Sequence, residues 1–109
     1  MLSMIRTLRL TDESAASIPV HVFMPVQDDI DWSCTFSIGW PSNTWERRAV
    51  GIDAIQSLQL ALRMIGTELY ASEYHKAGRL VWLKPGSGYG FPVPNIIRDM
   101  LVGEDRDFL

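Results

Sequence analysis

The 109-residue chain holds a single cysteine, Cys34. One cysteine excludes an internal disulfide and a thiolate zinc cluster. Its place in an apolar alternation marks it as a small buried hydrophobe. Histidine is nearly as scarce. His21 and His75 are the only two, and neither has a Ser or Cys partner in a readable motif, so no catalytic set is in view. No apolar run is long enough to span a bilayer. The first ten residues, MLSMIRTLRL, carry Arg6 and Arg9 among their apolar positions. A secretory signal needs an uninterrupted apolar core, so they do not form one. Positive charge is not in excess either. The formal net charge is −3, the opposite of the basic footprint that nucleic-acid binding requires. These absences point to a soluble cytoplasmic protein with no nucleic acid, membrane, metal or cofactor to bind.

What is present is ordinary for a globular domain, with 47% hydrophobic and 21% charged residues. A chain of this length builds one core without staples. No repeat, linker or low-complexity stretch divides it, so residues 1–109 read as one domain.

Residues 4–10 form a first strand, with Leu8 and Leu10 on one face. TDESAAS at 11–17 is a turn. Residues 18–26 form a second strand, bracketed by Pro19 and Pro25, and an acidic loop follows at 27–31. The clearest element is WSCTFSIGW. Trp32, Cys34, Phe36, Ile38 and Trp40 alternate with small or polar residues, the period of a half-buried antiparallel strand. A hairpin loop at 41–44 leads into a fourth strand at 45–50 and sets Trp40 opposite Trp45. Arg47 shares the tryptophan face, which predicts a bulge, a sheet edge or an arginine lying over an indole.

Ile55, Leu58, Leu62, Ile65 and Leu69 recur at helical intervals and predict a long helix from 54 to about 75. Asp53 is its N-cap and Gln56 the N3 partner of a variant capping box. LVWL at 80–83 is a short interior strand. Asn95 caps a second, short C-terminal helix whose apolar face is Ile96, Ile97, Met100 and Leu101, with Gly103 as its stop. Four meandering strands alternate in direction and the helix returns the chain. The fifth strand therefore pairs antiparallel with the free edge of the first. The expected fold is α+β: a mainly antiparallel five-stranded sheet in the order 5-1-2-3-4, with the long helix across one face.

The stretch KPGSGYGFPVP places Gly86, Gly88 and Gly90 after Lys84. A phosphate loop requires G-x-x-x-x-G-K-[ST] opening straight into a helix, and a dinucleotide fingerprint requires G-x-G-x-x-G at the same kind of turn. Neither spacing is met, and Pro92 and Pro94 hold the following backbone extended. The loop reads as structural, its glycines allowing close approach while Tyr89 and Phe91 anchor it on the core. The competing reading exposes Tyr89 in a recognition loop. Direction along the sheet places the 27–31 loop, the helix start and the 84–90 loop at one end. Asp28, Asp29, Asp31 and Asp53 outnumber Lys84 there, so that end suits a cation or a basic surface better than a phosphate. Asp28, Asp29 and Asp31 lack the glycine and distal glutamate of a calcium loop.

The helix GIDAIQSLQLALRMIGTELY, the strand GRLVWL and the GFP at 90–92 resemble a family of short uncharacterised bacterial proteins. The resemblance spans the C-terminal two thirds and rests on a G-x-D-x-x-Q helix start and a G-x-G-x-G-F-P loop. It implies no catalytic residue. The leading expectation is a non-enzymatic protein-interaction module of immunity-like or regulatory type. Its candidate binding residues are Tyr89, Lys84, Asp53, Asp28, Asp29, Asp31, Trp40 and Trp45. One alternative is a small-ligand binder or enzyme with a pocket between the 84–90 loop and the helix start. The other is a structural homodimer.

Overall fold

The strand that reads most clearly is the one on which the sheet is assembled. In the computed structural model, which describes residues 2–12, 14–94, 100–103 and 105–106, strand β4 (Asp31–Gly39) pairs along both sides. On one side lies β5 (Thr44–Gly51). On the other lie β2 (Ser17–Phe23) and β3 (Val26–Asp28), end to end. Beyond β2 come β1 (Ser3–Leu10) and then β6 (Leu80–Val81). Every pairing is antiparallel. The six strands thus fill five positions in the expected order, within an α+β fold.

The expected strand at 18–26 is two strands. Phe23, Met24 and Pro25 face only Cys34 and Thr35 between the paired Val22–Phe36 and Val26–Ser33. The extra residue is a bulge, and Pro25, which has no N–H to give, sits in it. Past the bulge the expected acidic loop is itself hairpin, with Asp28 opposite Asp31. The turn at Asp29 is left-handed (φ 37°), a conformation aspartate tolerates better than most residues.

Helix α1 (Ala54–Ala71) crosses the face that carries Leu8, Ile18, Val20, Cys34, Phe36 and Ile38, all essentially buried. The Cys34 thiol donates to Phe23 O, and burial pushes its pKa up, so it is held as an unreactive thiol. Asp53 caps the helix by accepting from Gln56 N at 2.8 Å, and Gln56 Oε1 accepts from Ile52 N at 2.7 Å. The buried side of α1 is rotated from the expected stripe. Ser57, Ala61, Ile65, Gly66, Leu69 and Tyr70 are buried, whereas Ile55 is 67% exposed. The small residues decide this. A Cβ at Gly51 would stand 2.6 Å from Ser57 N, so β5 and the first turn of α1 approach backbone to backbone.

α1 also ends earlier than predicted. Ser72 leaves helical geometry (ψ 150°), donates to Leu69 O and accepts from His75 N. It thereby closes one helix and caps the next, α2 (Glu73–Lys76). The hairpin loop after β4 starts one residue early. Ile38 therefore faces Trp45 and Gly39 faces Thr44. Trp40 is not opposite Trp45. It stacks on Tyr74 of α2 at 5.1 Å, with Arg79 over the same tyrosine and paired to Asp12. Arg47 lies 5.0 Å from the Trp45 ring on the edge strand β5, so two of its three expected roles hold together. β6 stops after two residues because Trp82 turns inward to Arg6. The expected helix beginning at Asn95 lies outside the described residues. Among the described residues no helix is long and apolar enough to cross a membrane.

Candidate functional site

Arg6 is an odd residue for its place. Its partner in the register is Val20, and it shares the α1 side of β1 with Leu8 and Leu10. The guanidinium is used there in two ways. It lies 4.0 Å from the Trp82 ring centre and 4.8 Å from that of Phe91. It also donates to Tyr89 O and Gly90 O at 3.1 and 3.0 Å. The glycine loop is thus tied to the first strand from below.

From above it is tied by Asp105, 3% exposed. One carboxylate oxygen accepts from Tyr70 Oη at 2.6 Å and from Tyr89 N at 2.9 Å. The other accepts from Gly90 N at 2.8 Å. Gly86, Gly88 and Gly90 all have positive φ, the backbone geometry that turns successive N–H groups toward an anion. A Cβ on Gly88 would lie 2.5 Å from Asp105 Cγ. The loop therefore does cradle an anion, and the anion is the chain's own side chain. The amides a phosphate would need are already engaged.

Tyr89 is 4% exposed. Its ring packs on Tyr70 and His75, and its hydroxyl lies 2.5 Å from His75 Nδ1. Burial first and the Asp105 charge second push the Tyr89 hydroxyl up to about 12. Burial, reinforced by the bond to Asp105, holds Tyr70 above its ordinary range. Both phenols therefore stay protonated as donors. Burial lowers the His75 pKa, so the ring is neutral at physiological pH; its Nδ1 shares a hydrogen bond with the Tyr89 hydroxyl, which also reaches Leu80 O at 3.4 Å. A cavity of about 190 Å³ adjoins this group, with Lys84, His75 and Tyr89 in its wall.

This linkage has a direction. The unfolded chain takes up a proton on His75 near pH 6.5, whereas the folded chain resists until lower pH. Below pH 6.5 the unfolded state binds more protons, so stability falls as pH falls toward the folded pKa. Urea midpoints measured from pH 8 to 5 should show this decline, and His75→Gln should flatten part of it. An unchanged pH slope in His75→Gln would contradict the assignment.

The residues expected at one end of the sheet are not all there. Tyr89 packs on the last turn of α1, while Asp53 caps the first, about 25 Å away along the axis at 1.5 Å per residue. The cause is the shortness of β6, which returns the chain toward α2 instead of carrying it up the sheet. No pocket joins Lys84 and Tyr89 to Asp53 among the described residues, and Asp53 is engaged in capping. Lys84 is exposed, and its carbonyl accepts from Ser87. Trp40 and Trp45 are both half-buried, Trp45 against Phe36.

What gathers at the other end is the β3–β4 tip and the start of α1. The β4–β5 ladder closes with Trp32 opposite Gly51, so past it the Asp28–Asp31 end of the β3–β4 hairpin and the Ile52–Asp53 turn into α1 lie at the same end of the sheet. Asp28, Asp29, Asp31 and Asp53 are exposed. Asp28 accepts from Ser33 Oγ and lies 3.9 Å from Arg48. Among these carboxylates stand Ile30, Ile52 and Ile55, which are 85%, 79% and 67% exposed. The acidic residues are legible in the sequence, whereas Ile30 and Ile52 carry no signal there and Ile55 reads as part of the buried stripe. Among the described residues, no group of three or more His, Cys, Asp or Glu side chains is placed to hold a metal ion.

The fold and these contacts define a small α+β domain: an antiparallel sheet under one helix, closed by a glycine loop that is clasped to both. The chain belongs to the family DUF6968, a domain of unknown function, which matches residues 4–93. The match takes in the strands β1 to β5 as well as the 51–92 stretch on which the resemblance rests. No curated protein and no solved structure matches the chain.

Proposed function

We propose that this protein is a non-enzymatic interaction module that binds a partner protein through the β3–β4 tip and the start of α1. The observation that carries the reading is the exposure of Ile30, Ile52 and Ile55 together. Single exposed aliphatics need no explanation, but three in the turns beyond the Trp32–Gly51 end of the ladder offer apolar surface of the kind interfaces bury. Asp28, Asp29, Asp31 and Asp53 surround it and select a partner whose apolar contact surface is rimmed by lysine or arginine. A small-ligand site between the glycine loop and the helix start has less support, because Asp53 is used in capping and Tyr89 lies at the far end of α1.

The test is a paired capture experiment from the native host. Wild-type protein should retain one stoichiometric basic partner. Ile30→Ser/Ile52→Ser should lose it with no change in unfolding midpoint, since both side chains are mostly in solvent. Retention of the same partner by the double variant would rule this surface out.

A further inference from the structure

We propose that the groove between β5 and the outer side of α1 binds an extended acidic peptide by strand addition. β5 is paired only along β4, so among the described residues its other edge has no strand partner. Alternate residues along such an edge point N–H and C=O groups outward, ready for another strand. Beside this edge runs a cavity of about 660 Å³. Val50, Leu60, Met64 and Pro94 supply apolar wall, and Arg48 and Arg63 supply charge. No acidic side chain is among the described residues that line it. An added strand would direct alternate side chains toward Leu60, Arg63 and Met64 and the others toward the open sheet face near Arg48. Apolar residues interspersed with Asp or Glu satisfy both sides, and the main-chain bonds supply affinity independent of sequence.

The charges bear also on a second copy of this chain as the occupant. A two-fold pairing of β5 with itself centred on Glu46 or Arg48 sets like charges face to face. Centred on Arg47, it sets the two arginines face to face and pairs Glu46 with Arg48 on either side of them. Centred on Ala49, it leaves the Thr44–Glu46 end of the strand unpaired. An acidic strand meets Arg47 and Arg48 with no arginine facing them.

The test uses a fluorescein-labelled eight-residue peptide of the repeat Val-Val-Glu-Glu, which carries both Val and Glu on each face and equals β5 in length, and its Lys-for-Glu counterpart. Anisotropy titration should show saturable binding of the Glu peptide, about tenfold or more tighter than the Lys peptide, and weaker in high salt. Arg63→Glu, at an exposed helix position, should keep the wild-type melting profile and weaken the Glu peptide about tenfold. Hydrogen exchange should slow at β5 amides on binding. Equal affinity for the two peptides, an unaffected Arg63→Glu, or binding without β5 protection would each overturn the proposal. So would a dimer on a sizing column that the peptide dissociates, because the edge would then belong to a second copy. The Ile30→Ser/Ile52→Ser variant should bind the Glu peptide as wild type does. Loss there would move the peptide to the tip.

Discussion

Asp105→Ala should destabilise the protein by about 4 kcal/mol. The substitution removes the acceptor from three donors at once: Tyr70 Oη, Tyr89 N and Gly90 N. A donor left unsatisfied in the interior costs about 1–3 kcal/mol. Gly90 is only half-buried and regains some bonding from water, which keeps the total below the upper sum. Against a typical folding free energy of about 5–15 kcal/mol, such a loss is a large share of the whole. Asp105→Asn should cost about half as much. Its one carbonyl oxygen can still accept from Gly90 N, and the Tyr70 hydroxyl can rotate to accept from the new amide. Urea denaturation followed by tryptophan fluorescence distinguishes the two variants. An Asp105→Ala midpoint indistinguishable from wild type would show that the clasp is dispensable.

Gly66→Ala should also destabilise, by about 3 kcal/mol, although alanine is the better helix former by about 1 kcal/mol. The added Cβ would collide with Pro92 O and stand 3.1 Å from Val93 Cγ1. The chain cannot withdraw easily, because Phe91 and Val93 on either side are each 4% exposed and set in the core. Overpacking against such backbone costs about 1–3 kcal/mol or more. The crossing of the GFPV segment over α1 thus depends on a missing side chain. Thermal melts give the readout. A variant as stable as wild type would mean that the segment does not lie on α1 at Gly66.

Much of this architecture is written locally. The alternation through Trp32–Ile38 states a half-buried strand, Asp53 and Gln56 state a helix start, and strand directions then leave one place for β6. The departures arise where two local signals compete. Pro25 ends one ladder and the following Val-Gln-Asp begins another, so a run that reads as one strand becomes two. Ser72 offers its hydroxyl to both neighbouring helices and divides a pattern that continues to His75. Trp40 satisfies the strand period, yet Tyr74 takes its ring once the loop begins early.

The site was less legible than the fold. The glycine spacing departs from that of a phosphate loop, but the carboxylate that fills the cradle lies fifteen positions beyond Gly90 in a polar stretch with no periodicity. One clue was available: Arg6 on the apolar face of β1 needs aromatic and carbonyl partners, and the Trp82–Phe91 segment is rich in both. The exposure of Ile55 was hidden as well. Ile55 fits a helical stripe on paper, and only the small-residue contact of Ser57 and Ala61 with the sheet reveals that α1 is turned away from it.

The position of β6 beside β1 has a consequence for the order of events during synthesis. β1 is made first, yet the edge it offers at Arg9 and Leu10 is covered only when Leu80 and Val81 have been made. The glycine loop is fastened only after Asp105 follows. A nascent chain that has already formed the β1–β5 meander therefore carries one open strand edge and an arginine without its aromatic partners until the last quarter is translated. Contacts of such long sequence separation close late, and uncovered strand edges are where growing chains associate wrongly. For this protein, that interval is when chaperone capture or misassembly should concentrate.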